Sequence, residues 1–272
     1  FPIAAIARAH ATVLEREGEA ALQYSTTEGF GPLREWLAAD FRRRGVEADA
    51  QEVLITNGSQ QGIDLVARVL LEPGAKVAVA NPSYLAALQV FTAAEASIVP
   101  VPADDDGIDV AALAQVLARG DVRLVYLVPN FQNPRGVTLS APRRHALVSL
   151  AQAHGVPVLE DDPYGELRFR GEALPPLAAL DGSGLVVSLG TFSKTLAPGL
   201  RLGWLRAAPA LLKHLVVAKQ ASDLHCASLA QRATAELLAT FDYAGHLQTL
   251  RAVYGARCRA MIAALERHFP VG

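Results

Sequence analysis

Short and nearly continuous apolar runs recur along the chain, separated by stretches of mixed polarity. Runs rich in valine, leucine and isoleucine are typical of strands that are covered on both faces. The runs are VLIT from residue 53, KVAVA from 76, SIVPV from 97, RLVYLV from 123, VPVLE from 156, LVVSL from 185 and LRLGWL from 200. This pattern predicts seven β-strands.

Most of these strands are separated by stretches whose apolar residues recur at helical spacing. The clearest apolar faces are formed by Leu33, Trp36, Leu37 and Phe41, and by Ile63, Val66 and Leu70. Ser140 is suited to cap a helix that runs to Ala153, and Gly155 is suited to end it. The alternation predicts the α/β class, with a mainly parallel seven-stranded sheet and helices on both of its faces.

The end of the chain repeats its apolar residues at helical spacing over a longer distance. Residues 244–269 are predicted to form one long amphipathic helix. Its apolar stripe consists of Leu247, Leu250, Tyr254, Cys258, Met261 and Leu265. No internal repeat or low-complexity linker separates this helix from the preceding strands and helices.

Composition and charge narrow the classes of protein to which the chain can belong. Hydrophobic residues make up 51% of the 272 residues and charged residues 19%, which favours a large core over disorder. The formal net charge is −2 and the only basic run is residues 42–44, so we expect no nucleic-acid partner for this region. We expect no membrane partner either, since no apolar run is long enough to span a bilayer.

The two cysteines and the single methionine support three further expectations. Cys226 and Cys258 do not form a metal-like pair, so no metal site is predicted. Their scarcity indicates a reducing compartment, and we expect a cytoplasmic protein. The chain begins at Phe1 and its one methionine is Met261, so we expect the natural start to lie upstream.

Polar residues follow several predicted strands at their carboxyl ends, where ligands bind in open α/β sheets. After VLIT, Gly58 permits a tight turn, and Ser59 can cap a helix from about Gln60 whose free N–H groups suit a phosphate. The same residues also fit a capped loop without a ligand. Asn133 precedes Pro134, which favours an extended or turn conformation, and its amide can face a ligand or merely close the turn.

Three consecutive acids, Glu160, Asp161 and Asp162, follow the strand VPVL. Acids at a strand end must face water, a cation or a ligand. Alternate side chains of a strand point to opposite faces, so a single strand end cannot aim all three inward. Tyr164 can share a pocket with Asp161, three residues before it. A solvated loop is the alternative interpretation.

Lys194 is the most informative residue, because it lies between two predicted core strands. The other lysines, which we expect at the surface, are Lys76, Lys213 and Lys219. A buried ammonium is unfavourable, and an imine with an aldehyde removes its charge, so the position favours a Schiff-base lysine. Thr191 and Ser193 supply hydroxyls beside it, and Arg201 supplies a guanidinium fork, which together suit a phosphate. A surface salt bridge is the alternative for Arg201.

Six segments together resemble the class I/II aminotransferases of the pyridoxal-phosphate fold-type I superfamily, and most closely the 2-aminoadipate and aromatic aminotransferase-like group. In the family's order, the segments are LQYSTTEGFGPLREWLA, TNGSQQG, NPSYLAAL, PNFQNPRG, EDDPYGELRF and GTFSKTLAPGLRLGW. The resemblance covers essentially the whole chain. It implies pyridoxal 5′-phosphate as cofactor, and transfer of an amino group from an amino acid to a 2-oxo acid through a Schiff base on Lys194.

The resemblance also implies a role for each matched residue. Lys194, Asp161 and Tyr164 are the implied catalytic residues. Lys194 would carry the cofactor and then move the α-proton of the substrate, and Asp161 would pair with the pyridine nitrogen. Tyr164 and Asn133 would hydrogen-bond the ring oxygen, and Tyr84 would stack on the ring.

The phosphate is implied to bind in a cup that forms around the turn of Gly58. The matched residues of this cup are Ser59, Gln60, Thr191, Ser193 and Arg201. Tyr24 matches a tyrosine that reaches the phosphate of the neighbouring subunit. The resemblance therefore implies a homodimer with shared active sites.

Three parts are expected from the resemblance: an N-terminal segment (1–23), a large pyridoxal-phosphate-binding domain (24–243) and a long interdomain helix (244–272). In the family this helix leads to a small domain, which is mostly missing from this chain. That domain carries the arginine that binds the α-carboxylate of the substrate, so we expect the arginine beyond residue 272. The donor amino acid is left undetermined.

Two other functions share the fold and the cofactor. One is the effector-sensing, aminotransferase-like domain of a MocR-type transcription regulator, which a winged-helix domain would precede. The other is a related pyridoxal-phosphate lyase. The segment QYSTTEGFGPLREWLA favours the enzymes over the regulator.

Overall fold

One mixed sheet forms the centre of the structure, which is a computed structural model and describes residues 1–270. Its strands are β1 Val53–Thr56, β2 Lys76–Asn81, β3 Ser97–Asp104, β4 Gly107–Ile108, β5 Val122–Leu127, β6 Val158–Asp161, β7 Val186–Thr191 and β8 Gly203–Arg206. The seven strands predicted from the apolar runs are confirmed. The additional strand, β4, pairs antiparallel with the end of β3 and is too short to give a sequence pattern.

The strand order brings the ends of distant segments to one edge of the sheet. The order is β1-β8-β7-β6-β5-β2-β3-β4. The neighbours from β7 through β6, β5 and β2 to β3 are parallel, whereas β8 runs antiparallel to β7 and to β1. The mainly parallel sheet is therefore confirmed. Because β1, β5, β6 and β7 point the same way, the residues that follow them meet at one edge.

Helices cover both faces of the sheet, as the alternation predicts. They are α1 Ile3–Glu17, α2 Glu19–Leu22, α3 Gly31–Arg43, α4 Gly58–Leu70, α5 Leu85–Ala93, α6 Val110–Leu117, α7 Ala141–His154, α8 Leu177–Leu180, α9 Pro209–Asp223, α10 Ser228–Thr240 and α11 Tyr243–His268. Buried residues of α4, α5 and α9 share one core with the sheet, and those of α3, α6, α7 and α10 share the core on the other face. No helix among those described is both long and apolar enough to cross a membrane.

The predicted helix after Ser140 is found as α7, which ends at His154, one residue later than predicted, and Gly155 follows it in the left-handed conformation. Ser140 is the N-cap residue, but its side chain makes no capping hydrogen bond. The long C-terminal helix is also found, as α11. Its first turns pack on the core, where Leu247 is buried, but Met261 is 63% exposed and Leu265 is 42% exposed. The apolar stripe of α11 therefore extends past the core that covers its beginning.

The expectation that Lys219 lies at the surface is wrong. The residue is fully buried in α9. Its ammonium lies 2.7 Å from the carboxylate of Asp223, one turn later in the same helix. An ion pair of this kind compensates the loss of hydration that otherwise keeps lysine at the surface.

Candidate active site

A cavity of about 250 Å³ opens at the edge of the sheet where β1, β6 and β7 end. Its lining includes every site residue predicted from the sequence except Tyr24. These residues are Gly58, Ser59, Gln60, Tyr84, Asn133, Asp161, Tyr164, Thr191, Ser193, Lys194 and Arg201. Segments that lie up to 143 residues apart in sequence, from Gly58 to Arg201, thus meet around one space.

The first turn of α4 forms one corner of the cavity, and the predicted start of this helix needs correction. The helix begins at Gly58, with Asn57 as N-cap residue, rather than at Gln60 with Ser59 as cap. Gly58 has a φ of +73°, which lets the chain turn into the helix two residues earlier than predicted. Ser59 and Gln60 therefore lie in the first turn, where backbone N–H groups lack helical partners and suit an anion.

The corner is closely packed from the opposite side by the segment that follows β7. A Cβ atom on Gly203 would come within 2.6 Å of the backbone nitrogen of Ser59, so only glycine fits there. Arg201 places its guanidinium 3.2 Å from the carbonyl oxygen of Asn57. The hydroxyls of Thr191 and Ser193 lie 2.9 Å apart beside it. A helix start, two hydroxyls and a guanidinium form a donor set that matches a phosphate dianion.

Asp161, at the end of β6, is the buried acid of the cavity. One carboxylate oxygen accepts a hydrogen bond of 2.9 Å from the hydroxyl of Tyr126. The other, Oδ1, has no hydrogen-bond partner among residues 1–270. Burial raises the pKa of Asp161 to about 7, although the hydrogen bond from Tyr126 opposes the rise. A cationic N–H group of a ligand would satisfy the unpaired oxygen and favour the ionised carboxylate.

The two neighbouring acids have other partners. Glu160 points to the opposite side of β6, where it accepts hydrogen bonds from the backbone N–H of Leu177 at 2.6 Å and from the hydroxyl of Ser188. Asp162 accepts from the backbone N–H of Gly165 at 2.9 Å and so closes the turn after the strand. Of the three consecutive acids, only Asp161 lines the cavity.

Two tyrosines and an amide complete the polar lining. Tyr84 is the N-cap residue of α5, and Tyr164 follows β6 at the start of a 3₁₀ turn. Burial raises the pKa of both phenols, and the nearby carboxylate of Asp161 adds to the effect. The amide of Asn133 lowers the pKa of Tyr164 slightly against this rise. Both phenols are therefore protonated at neutral pH and can act as hydrogen-bond donors.

Lys194 differs from the expectation, because its side chain is exposed rather than buried. It lies where two cavities meet, and its Nζ atom is 6.0 Å from the centre of the Tyr164 ring. The second cavity measures about 530 Å³, and its further lining residues are Phe131, Leu167, Phe169, Tyr254, Arg257 and Cys258. The turn after β7 thus holds the amine at the mouth of the polar cavity, within reach of a mostly apolar one.

Tyr24 is separate from this cavity. It is 77% exposed and packs edge-on against His225, with 5.7 Å between the ring centres. In contrast, Tyr126 was missed by the sequence analysis although it contacts Asp161 directly. The available signal was a tyrosine inside the otherwise aliphatic run RLVYLV, where a buried hydroxyl needs a partner.

No group of three or more His, Cys, Asp or Glu side chains that could hold a metal ion occurs within the part of the chain that the structure describes. The donor set of the cavity instead fits an aromatic phosphate ester. The first turn of α4 suits the phosphate, the unpaired oxygen of Asp161 suits a ring N–H, and Lys194 supplies an amine.

Comparison with known proteins points to one family. Residues 2–272 match the model of aminotransferase class I and II. The aromatic-amino-acid aminotransferase 1 of Thermococcus litoralis is 41% identical over 279 residues, which cover 100% of this chain and 67% of that protein. The 2-aminoadipate transaminase of Thermus thermophilus is 42% identical over 273 residues, with coverage of 99% and 67%.

Structural similarity is equally extensive. The crystal structure of kynurenine aminotransferase from Pyrococcus horikoshii, in complex with PMP, superposes with a TM-score of 0.95 at 41% identity. The match covers 100% of this chain and 69% of that one. Transcriptional regulators also match, but this chain covers only 45% of one such regulator and 58% of another.

Proposed function

The chain belongs to the class I and II aminotransferases and is a pyridoxal-phosphate-dependent transaminase, and on this premise we propose how its own residues carry out the reaction. The resemblance found in the sequence is confirmed, and the MocR-type regulators are only distant relatives. The observation that carries the proposal is the meeting of an exposed lysine, an unpaired buried carboxylate oxygen and a phosphate-binding helix start around one cavity.

Each group of residues in the cavity has a proposed task. Asp161 would hold the ring nitrogen in its protonated form, while Tyr164 and Asn133 would bind the ring oxygen and Tyr84 would stack on the ring. The phosphate would be held by the first turn of α4, with the side chains of Thr191, Ser193 and Arg201 and the residues Gly58, Ser59 and Gln60. When bound, the cofactor supplies the electron sink for negative charge at the α-carbon of the substrate.

Lys194 has two proposed tasks. Its Nζ atom would anchor the cofactor covalently. With a substrate amino acid bound in its place, the free amine would accept the proton from the α-carbon as general base and later donate it as general acid. The position of Lys194 supports both tasks, because its side chain lines both the polar cavity and the larger apolar one.

We propose that the donor is an amino acid with a large apolar or aromatic side chain. The second cavity supports this proposal, because Phe131, Leu167, Phe169 and Tyr254 line it beside Lys194. Arg257 lies in the same lining and favours 2-aminoadipate as a second candidate, since a guanidinium can bind the distal carboxylate. The relatives that act on aromatic amino acids, kynurenine and 2-aminoadipate are consistent with both candidates.

A panel of amino acids tests the activity and the donor together. The full-length protein is incubated with 2-oxoglutarate and phenylalanine, tyrosine, kynurenine, 2-aminoadipate or aspartate. We expect the best donor among the first four to exceed aspartate in kcat/KM by at least about tenfold, because side chains that fill an apolar cavity gain about 1–3 kcal/mol. Loss of the amino acid without formation of glutamate would indicate a lyase instead.

We also propose a homodimer in which Tyr24 acts on the cofactor phosphate of the partner subunit. Tyr24 is 77% exposed, and Leu22, two residues before it, and Leu224, which precedes its ring partner His225, are exposed as well. These exposed apolar side chains support an interface at this surface. In the proposed arrangement, residues 24–243 form the large domain and α11 follows it. A small domain after α11 would cover the exposed part of its apolar stripe. The free thiols of Cys226 and Cys258 are consistent with a cytoplasmic protein.

Mixed dimers test the role of Tyr24. We expect Tyr24→Phe and Lys194→Ala to be impaired alone, and a mixture of the two to recover up to about a quarter of the wild-type activity after subunit exchange, because half of the dimers then hold one intact site. The matched control mixes Asp161→Ala with Lys194→Ala. Both residues lie in the same cavity, so this mixture should stay inactive. Equal recovery in both mixtures, or none with Tyr24→Phe, would contradict action across the interface.

A further inference from the structure

A polar cluster contacts the first turn of α4 through residues that do not line the cavity. We infer that this cluster, which consists of Asn57, Gln61, Lys219 and Asp223 and is called the rear clamp here, positions the phosphate-binding turn. Nothing in the sequence pattern predicted it, since Lys219 was expected at the surface. The inference rests on the proposed function, namely that this turn binds the cofactor phosphate.

Asp223, the last residue of α9, is the centre of the rear clamp. Its Oδ2 atom accepts hydrogen bonds from Asn57 Nδ2 at 2.7 Å and from Gln61 Nε2 at 2.8 Å. The ammonium of Lys219 donates to both oxygens of the same carboxylate, at 2.7 and 2.8 Å. One carboxylate thus joins the end of α9 to the residue that precedes α4 and to the first turn of that helix.

The backbone of Asn57 is fixed at both of its polar groups. Its N–H donates to Gln61 Oε1 at 2.8 Å, and its carbonyl accepts from Arg201 at 3.2 Å. Because the peptide group is planar, fixing the carbonyl of Asn57 also fixes the direction of the N–H of Gly58. That N–H belongs to the turn that lines the cavity.

Glycine makes an external constraint necessary at this turn. Gly58 can adopt many backbone conformations, and here it has a φ of +73°. Without the rear clamp, the turn would sample orientations in which its N–H groups no longer converge on a phosphate. The ion pair also has no net charge, so the buried Lys219 lets the partly buried carboxylate of Asp223 accept the hydrogen bonds without placing an unbalanced negative charge beside the phosphate-binding turn.

The probe that isolates this effect is the cofactor with and without its phosphate. Pyridoxal 5′-phosphate and pyridoxal share the aldehyde that reacts with Lys194, but only the first engages the turn. A positioning residue for the turn should therefore weaken the first ligand and spare the second, whereas general damage to the cavity should weaken both.

The test uses the double variant Lys219→Met/Asp223→Ala, which removes the pair without leaving a buried charge unpaired. We expect its Kd for pyridoxal 5′-phosphate to rise about 10- to 100-fold, as for one or two misaligned charge-assisted hydrogen bonds, and its Kd for pyridoxal to change less than about threefold. Absorbance titration gives both constants. The matched control is Asp64→Ala/Arg68→Met, which removes an exposed ion pair of 2.7 Å on α4 itself and should change neither constant.

Two results would overturn the inference: an equal rise of both constants, or no rise for pyridoxal 5′-phosphate. If the double variant does not fold, Gln61→Leu decides by the same comparison, because it removes the acceptor for the N–H of Asn57 without altering any charge. Wild-type protein that attaches neither ligand to Lys194 would instead refute the proposed function, and the two failures are therefore distinguishable.

Discussion

Replacement of Lys194 by alanine should abolish covalent attachment of the cofactor and lower kcat at least about 10²- to 10⁴-fold, the usual contribution of a positioned general acid or base. The variant loses both the amine that anchors the cofactor and the group that moves the α-proton. A small primary amine in solution should restore part of the proton-transfer rate, because it can take the place of the missing side chain.

Borohydride reduction followed by peptide mapping checks the attachment. Wild-type protein should carry the label on the peptide that contains Lys194. The control is Lys213→Ala, which changes an exposed lysine of α9 and should leave the label and kcat unchanged. A label on Lys76, Lys213 or Lys219 would refute the assignment. Lys219 is the least able of these to react, because it is fully buried and paired with Asp223.

The two lysines illustrate what the sequence can and cannot predict. The place of Lys194 between two apolar strands was visible, and the residue does line the cavity with the other predicted polar residues, although its side chain is exposed rather than buried. Lys219 lies on an amphipathic helix and was expected at the surface. Its burial depends on α4 packing against the end of α9, which is a tertiary contact that no local pattern contains.

The strands and the meeting of polar residues at one edge of the sheet were predictable for a similar reason. Buried parallel strands have apolar runs, and parallel strands end at a common edge, so the runs located the polar residues that meet there. β4 has only two residues and gave no pattern. No sequence pattern identified the hydrogen-bond partners of Asp161 and Asn57 either, because Tyr126 and Asp223 belong to distant elements.

Asp161→Asn should stabilise the cofactor-free protein at alkaline pH while it reduces catalysis. In the folded chain burial raises the pKa of Asp161 to about 7 from an ordinary value of 3.8. The native state therefore binds this proton more tightly than the unfolded state does. The stabilising contribution of the protonated group is complete below about pH 4 and is lost as the pH rises through 7, where a buried carboxylate must ionise.

Asparagine has a similar shape and can accept the hydrogen bond of Tyr126, but it carries no charge at any pH. We therefore expect the variant to gain more unfolding free energy at pH 8 than at pH 5, by about 1–3 kcal/mol. Denaturant unfolding of the cofactor-free, full-length protein measures the difference. The pKa of Glu166 is also raised to about 7 by burial, but this group is present in both proteins and cancels in the comparison.

With cofactor and substrates present, the same variant should lose about 100-fold or more in kcat, since a neutral amide does not hold the ring nitrogen protonated while charge develops. The control is Asp105→Asn, whose side chain is fully exposed and should change neither the pH dependence nor kcat. A gain in stability that is equal at both pH values would show that Asp161 does not titrate in this range. A loss of stability at pH 8 would show that the ionised carboxylate is compensated within the empty cavity. Stabilisation that grows with pH, together with loss of turnover, would mean that the ionised carboxylate of Asp161 is needed for catalysis with the cofactor, although its burial destabilises the cofactor-free fold.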